Sequence, residues 1–214
     1  MPVVSILGAG PIGASVAHRL AQRGKLASIQ VIDTAATVAA GKVLDMLQAA
    51  PVERFDQRMS TEGDELAAVS SPIVVLADDS SGGAWDGDRG LALVARLMRA
   101  GTRATFVFAC PSQTWLMEKV YRELRIPADR LVGSAPGAVA SAVRALAGLE
   151  LGIASVQLAV CGRPPALVIG WAAATADGSL LTERVAPHRL ASISARLPTL
   201  WPPRPYAIGS ATAE

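Results

Sequence analysis

Short apolar runs alternate with helical stretches along the first 134 residues of the chain. The runs that begin at residues 2, 29, 72 and 104 are rich in Val, Ile and Phe, a pattern typical of strands buried on both faces. Between them, apolar residues recur at helical spacing, as Val16 and Leu20 do. This alternation indicates a parallel sheet with helices on both faces, an α/β fold. We predict strands over 2–7, 29–33, 72–77, 104–109 and 130–133 with another near residue 58, and helices over 11–23, 37–50, 88–100 and 113–124.

After residue 134 the regular alternation of strand and helix ends. We predict a helix over 136–148, neighbouring antiparallel strands over 156–161 and 166–174, a short strand near residue 180 and a helix over 188–197. We expect the last residues, 209–214, to be a frayed end. The change of pattern divides the chain into two domains, 1–134 and 135–214, with no obvious linker between them.

The composition excludes several classes of protein. Hydrophobic residues make up 51% of the chain and charged residues 18%, which is enough apolar material for a core and excludes a disordered protein. The net charge is +2 and there is no basic block, so we expect no nucleic-acid partner. The uncharged stretches 151–162 and 164–176 are too short to span a membrane. No basic segment precedes the first strand, and we therefore expect no signal peptide and a cytoplasmic location.

The two cysteines, Cys110 and Cys161, lie 51 residues apart and form no motif with histidine. A cysteine cluster with closer spacing is the usual sign of a zinc site. We therefore expect two reduced thiols and no metal site.

A glycine-rich turn follows the first predicted strand and opens the first helix. Gly8, Gly10 and Gly13 form the pattern GxGxxG in the strand–turn–helix context of a dinucleotide-binding site. Gly8 permits the tight turn, Gly10 lets the backbone approach a pyrophosphate, and Gly13 lets the helix pack close to the sheet. Pro11 and Ile12 complete the turn, and the helix N-terminus offers free N–H groups to phosphate. These five residues are our candidate phosphate-binding residues.

Asp33 ends the second predicted strand, twenty residues after Gly13. A carboxylate at this place can accept hydrogen bonds from the ribose hydroxyls of adenosine, and it repels a 2′-phosphate. The sequence therefore favours NAD over NADP as the cofactor. The alternative is a Rossmann scaffold that keeps its glycines for packing and has lost the ligand.

Several segments resemble the lactate/malate dehydrogenase family. The opening ILGAGPIGA (residues 6–14) and the stretch GKVLDMLQAAPV (residues 41–52) are similar to the corresponding parts of malate dehydrogenases. So are ADRLVG (residues 128–133) and LELG (residues 149–152). The resemblance runs to about residue 181 and implies an NAD-binding Rossmann domain followed by a substrate domain. That second domain is expected to be a truncated version of the family's.

The resemblance also shows where the family's catalytic residues are expected, and other residues occupy those positions. Family members bind the substrate carboxylate with arginine and move a proton with a His–Asp pair. The family's histidine turn falls on residues 162–166, which places Pro164 at the histidine position. The family's helix that carries aspartate and, three residues on, arginine corresponds to residues 139–142. Val139 therefore stands at the aspartate position and Ala142 at the arginine position. The resemblance therefore implies no catalytic residue in this chain.

Three further positions, Cys110, Asp78 and Asp79, differ from the family near the expected cofactor. Cys110 stands where the family has asparagine before a proline, and Arg89 is the one candidate for a substrate-binding arginine. The family's Thr-Ala-Gly after the fourth strand corresponds to residues 77–79, so Asp78 and Asp79 lie where the dinucleotide is expected. Two carboxylates beside a pyrophosphate repel it, unless they face solvent or bind a cation.

These positions favour a malate dehydrogenase-like protein that keeps the NAD-binding fold and has lost 2-hydroxy-acid dehydrogenase activity. Such a protein acts as a sensor or through subunit association. The alternative is an NAD-dependent oxidoreductase that acts on an altered substrate. The family resemblance of the 37–50 helix implies a homodimer through this helix, and other protein subunits are possible partners.

Overall fold

Six parallel strands of the computed structural model form one sheet in the N-terminal part of the chain. The structure describes residues 2–153, 155–164 and 166–214. The strands are β1 (Val3–Leu7), β2 (Ser28–Ile32), β3 (Met59–Glu62), β4 (Ile73–Leu76), β5 (Thr105–Phe108) and β6 (Leu131–Gly133). Their order in the sheet is β3-β2-β1-β4-β5-β6, and every neighbouring pair is parallel. The predicted α/β Rossmann fold is confirmed.

The order of the strands reverses direction between β1 and β4. In doubly wound sheets a crevice opens at such a point, at the carboxyl ends of the strands, and ligands bind there. The glycine-rich turn follows β1, Asp33 follows β2, and Asp78 and Asp79 follow β4. The topology therefore brings all the predicted cofactor residues to the same edge of the sheet.

Four helices connect these strands: α1 (Pro11–Arg23), α2 (Ala36–Glu53), α3 (Gly87–Arg99) and α4 (Thr114–Glu123). Large apolar side chains of the sheet pack against α3 and α4, and Phe106 and Leu76 are completely buried among them. Leu93 and Leu97 of α3 and Leu116 of α4 belong to the same cluster. Leu and Val side chains spaced three to four residues apart give α3 and α4 the apolar face that packs on the sheet.

A second compact unit comprises Ala135–Ala207, and the first comprises the residues up to Ser134 together with Ile208–Glu214. The elements after residue 134 are α5 (Ala135–Leu151), β7 (Val156–Gln157), β8 (Val160–Arg163), β9 (Ala166–Ile169), β10 (Thr175–Ala176), β11 (Ser179–Leu180), α6 (Leu181–Arg184), α7 (Pro187–Arg196) and α8 (Pro205–Thr212). Among the described residues, no helix is long and apolar enough to cross a membrane.

The strand pairing predicted for 156–161 and 166–174 is only partly correct. β8 and β9 form an antiparallel hairpin, but β7 pairs with β10. The run 166–174 is broken after Ile169, where residues 171–173 form a turn of 3-10 helix. Trp171 in that turn donates a hydrogen bond of 2.7 Å to the Ser194 hydroxyl of α7, so its indole faces a helix and does not continue the strand.

The prediction of a frayed end at 209–214 is wrong, because α8 extends to Thr212. Gly209 is buried, and a Cβ atom at this position would lie 2.2 Å from the Ser15 hydroxyl oxygen of α1. The Thr212 hydroxyl donates a hydrogen bond of 2.8 Å to the Ser134 hydroxyl. These contacts fix a segment whose own composition predicts no stable helix.

Candidate functional site

The glycine-rich turn between β1 and α1 contains three glycines that the backbone geometry requires. Gly8 has φ +114°, a conformation that side chains disfavour. A Cβ atom at Gly13 would lie 2.0 Å from the carbonyl oxygen of Gly8, and one at Gly10 would lie 2.4 Å from Cγ of Asp78. The turn therefore has the backbone shape of the dinucleotide fingerprint, but the space beside Gly10 holds a side chain of the protein itself.

The carboxylate of Asp78 lies at the N-terminus of α1. Its Oδ1 accepts hydrogen bonds of 2.9 Å from the backbone N–H of both Ile12 and Gly13. Pro11, the first residue of the helix, has no N–H, and the N–H of Ala14 bonds to the carbonyl of Gly10. The donors that a helix N-terminus offers to an anion are therefore already used within the protein.

The carboxylate of Asp33 is 3% exposed and accepts four hydrogen bonds. Backbone N–H groups of Ala9, Ala35 and Ser80 donate three of them, and the Ser80 hydroxyl donates the fourth. Burial alone raises the pKa of Asp33, but the hydrogen bonds from Ala9, Ala35 and Ser80 outweigh it, so the pKa lies below its ordinary value. Asp33 is ionised at neutral pH, as ribose recognition requires.

Asp79 does not face the N-terminus of α1. Its Oδ2 lies 2.9 Å from the Arg89 guanidinium, and its Oδ1 accepts hydrogen bonds from Ser81 and from the backbone N–H of Gly83. Burial raises the pKa of Asp79, but the hydrogen bonds from Ser81, Arg89 and Gly83 outweigh it, so the pKa lies below its ordinary value. The expectation that both aspartates oppose a pyrophosphate therefore applies to Asp78 alone.

Arg89, the candidate substrate-binding arginine, is held on two sides. Besides the ion pair with Asp79, its guanidinium carbon lies 4.0 Å from the centre of the Trp85 ring, a cation–π contact. Trp85 is itself buried and donates a hydrogen bond of 3.2 Å to the carbonyl of Leu7. The guanidinium is therefore engaged by neighbouring groups of its own loop.

Cys110 follows β5 and is 4% exposed. Burial raises the pKa of its thiol to about 12, and the negative charges of Asp78 and Asp86 add to this. Its backbone N–H donates a hydrogen bond of 2.9 Å to the side chain of Gln113, whose amide donates to the carbonyl of Trp85. The thiol is therefore protonated at neutral pH and is not a nucleophile.

The three positions that we expect to correspond to the family's catalytic residues lie in the second unit. Val139 is completely buried in the apolar cluster of α5, α7 and the short strands. Ala142 is half-buried on the same helix, and Pro164 is in the turn between β8 and β9. Pro165 of that turn lies outside the described residues. None of the three side chains can hold a proton or a carboxylate.

The two histidines lie elsewhere. His18 of α1 is 2.5 Å from the carboxylate of Glu53, in a partly exposed pair, and His188 is exposed on α7. In the part of the chain that the structure describes, no group of three or more His, Cys, Asp and Glu side chains is placed to hold a metal ion.

Comparison with known proteins finds relatives of the N-terminal part of the chain. Residues 3–81 match the family model described as the NAD binding domain of lactate/malate dehydrogenase. Over 73 residues the chain is 37% identical to the malate dehydrogenase of Chlorobium phaeobacteroides, an alignment that spans 34% of this chain and 24% of that protein. The N-terminal part of the chain is thus similar to the NAD-binding domain of the lactate/malate dehydrogenases. Its alignment nonetheless spans only about a quarter of the length of the malate dehydrogenases that it matches.

Solved structures from the lactate/malate dehydrogenase family resemble the fold over nearly the whole chain. The malate dehydrogenase of Salinibacter ruber matches with a TM-score of 0.84 and 22% identity, over 99% of this chain and 73% of that one. The minor L-lactate dehydrogenase of Enterococcus mundtii matches with a TM-score of 0.84 and 20% identity, over 99% and 75%. At this identity the likeness concerns the fold. The predicted fold, an NAD-binding Rossmann domain followed by a C-terminal domain, is confirmed.

The residues of the site suit NAD by type, but they are engaged in this structure. The glycine turn, the N-terminus of α1 and the Asp33 carboxylate are the groups that hold a pyrophosphate and an adenosine ribose in Rossmann domains. Here the Asp78 carboxylate lies in the glycine turn and binds the N-terminus of α1, and Ser80 donates hydrogen bonds to the Asp33 carboxylate. In this structure the groups that suit NAD therefore bind other groups of the protein.

Sequence analysis missed the part played by Ser80 and Lys42. Ser80 contributes two of the four hydrogen bonds to Asp33, and the ammonium group of Lys42 donates to the carbonyl of Ala9 in the glycine turn. The run DDSSGG, which begins two residues after β4, was the available signal, since it puts polar side chains at the carboxyl end of that strand. No local pattern identifies which of these side chains faces which partner.

Proposed function

We propose that the protein is a catalytically silent homologue of the lactate/malate dehydrogenases. It keeps the NAD-binding domain, has lost 2-hydroxy-acid dehydrogenase activity, and acts through dinucleotide sensing or association with other subunits. The free thiols of Cys110 and Cys161 support a location in the reducing cytoplasm.

The burial of Val139 carries this proposal. The position assigned to the aspartate that orients the catalytic histidine lies wholly inside an apolar cluster. A carboxylate there would lose its hydration without gaining a partner, a change that costs several kcal/mol. Pro164 at the histidine position carries no proton, so both members of the pair are absent.

The contacts of Arg89 also support the proposed loss of dehydrogenase activity. A dehydrogenase of this family holds the substrate carboxylate with a bidentate arginine, and Arg89 is the one candidate. Its guanidinium is paired with Asp79 and stacked on Trp85. An incoming 2-oxo acid would have to compete with a carboxylate of the protein itself, and Ala142 offers no second clamp.

The test is turnover of NADH with oxaloacetate, pyruvate and a panel of other 2-oxo acids. We expect no rate above that of buffer, because general acid–base help contributes about 10²–10⁴ in rate and its groups are missing. Turnover of about 1 per second on any of these acids is ordinary for an enzyme and would overturn the proposal in favour of an oxidoreductase with an altered substrate. Pro164→His alone should leave the rate at that of buffer, since Val139→Asp and Ala142→Arg are needed with it.

Association through α2 is supported by its exposed apolar side chains. Leu44 is 56% exposed and Leu47 39% exposed, while Val43 on the same helix is buried. The apolar residues of α2 thus face two ways, one set toward the sheet of its own domain and the other outward. We propose that the outward set packs against a second copy of the chain.

A further inference from the structure

We propose that residues 78–80 are an internal ligand of the dinucleotide site, which NAD must displace in order to bind. The segment replaces the pyrophosphate with the Asp78 carboxylate and the adenosine ribose with the Ser80 hydroxyl. This inference rests on the NAD-binding part of the proposed function and is independent of the loss of catalysis.

Asp78 matches a phosphate in charge, donors and position. Its carboxylate accepts from the N–H groups of Ile12 and Gly13, which are the donors that a helix N-terminus presents to phosphate. A Cβ atom at Gly10 would lie 2.6 Å from the Asp78 Oδ2. The carboxylate therefore lies against the glycine whose missing side chain lets a pyrophosphate approach.

Ser80 matches a ribose hydroxyl in the same way. Its hydroxyl donates a hydrogen bond of 3.0 Å to Oδ1 of Asp33, and its backbone N–H donates one of 2.8 Å to Oδ2. A ribose with two adjacent hydroxyls would also donate two hydrogen bonds to this carboxylate. Two independent subsites, phosphate and ribose, are thus filled by one short segment.

The segment is fixed by contacts on both sides. The carbonyl of Asp78 accepts from the N–H of Gly10 at 2.8 Å, and Asp78 forms a β-bridge with Ala84. Asp79 ties the following loop to Arg89 through the ion pair at 2.9 Å. Release of the site therefore requires movement of the loop, because the carbonyl and the carboxylate of Asp78 both bind the glycine turn.

An internal anion competes directly with an external one for the same donors. A hydrogen bond to a charged group contributes about 1.5–3 kcal/mol, so removal of the Asp78 carboxylate should tighten NADH binding by about 10- to 100-fold. The removal also eliminates the repulsion between this carboxylate and the pyrophosphate.

The experiment measures NADH affinity by calorimetry for the wild type, Asp78→Ala and Asp78→Asn. We expect the largest gain for Asp78→Ala and a smaller gain for Asp78→Asn, which removes the charge but keeps an acceptor. The matched control is Asp86→Ala, because Asp86 is an exposed aspartate eight positions along, and its side chain makes no capping hydrogen bond to α3. Equal affinity in the wild type and in both Asp78 variants contradicts the proposal, as does an equal gain in Asp86→Ala.

A second measurement uses the wild type alone and stands even if the Asp78 variants do not fold. Amide exchange followed by NMR should show the N–H groups of Ile12 and Gly13 protected without NADH. Free exchange at both amides in the wild type overturns the proposal. Detectable dehydrogenase turnover would contradict the proposed loss of catalysis but leave this inference intact, so the two failures are distinguishable.

Discussion

The Ser80 hydroxyl lies 3.0 Å from Oδ1 of Asp33 and donates a hydrogen bond to it. Asp33 follows β2 and Ser80 follows β4, 47 positions along the chain, so only the sheet brings them together. The carboxylate that would select a cofactor is thus buried and fully engaged by the protein. We expect its charge to affect both the preference for a cofactor and the stability of the folded domain.

The preference for NADH over NADPH should depend on Asp33. A 2′-phosphate beside this ionised carboxylate is repelled, and at 4 Å the repulsion reaches about 4 kcal/mol at an effective dielectric of 20. Isothermal titration should show NADH binding at least roughly tenfold more tightly than NADPH. Asp33→Ala should narrow the gap, whereas Asp129→Ala on the exposed surface should not. Equal affinity of the wild type for the two cofactors would contradict the assignment.

Stability should fall in acid because of Asp33. Its pKa in the folded protein lies below the ordinary value, so its contribution is present above about pH 4 and is lost as the pH falls through the folded-state pKa. Urea unfolding of Asp33→Asn should therefore show a lower free energy of unfolding at pH 7 and a flatter decline below pH 4 than the wild type. A decline as steep as that of the wild type would mean that other carboxyl groups account for the acid sensitivity.

The proposed dimer should depend on Leu44. Light scattering at micromolar concentration should give twice the mass of the chain, and Leu44→Glu should give the monomer, because a carboxylate cannot be buried in an apolar interface without a partner. Leu66→Glu is the control, since Leu66 is 40% exposed in the same unit but lies outside α2. A wild-type protein at the mass of one chain would refute the interface.

Two glycines should respond oppositely to alanine. At Gly13 the added Cβ would lie 2.0 Å from a backbone oxygen that cannot move aside, so Gly13→Ala should lower the free energy of unfolding by about 3 kcal/mol or more. Gly41 lies inside α2 with nothing within 4 Å of the new atom. Gly41→Ala should therefore raise the free energy of unfolding by about 0.5–1 kcal/mol. Denaturant titration of both variants at low protein concentration measures the two changes in the free energy of unfolding.

The sequence alone was sufficient for the order of strands and helices in the first 134 residues. The strands β1, β2, β4 and β5 are rich in apolar residues, and a glycine turn follows β1 and opens a helix, which is the context of a dinucleotide fingerprint. The same local signals failed after residue 134. The two-residue strand β7 carries too little pattern to specify a partner, and α8 is stabilised by contacts with Ser15 and Ser134 that composition does not reveal.

The sequence also identified Asp33, Asp78 and Asp79 as groups near the cofactor, because each follows a strand whose carboxyl end lies at one edge of a parallel sheet. It did not determine which partner each carboxylate has. Asp78 reaches Ile12 across 66 positions because β4 lies beside β1, while Asp79, pointing the other way, meets Arg89. Successive residues leaving a strand point in opposite directions, so only the tertiary structure decided which aspartate fills the site.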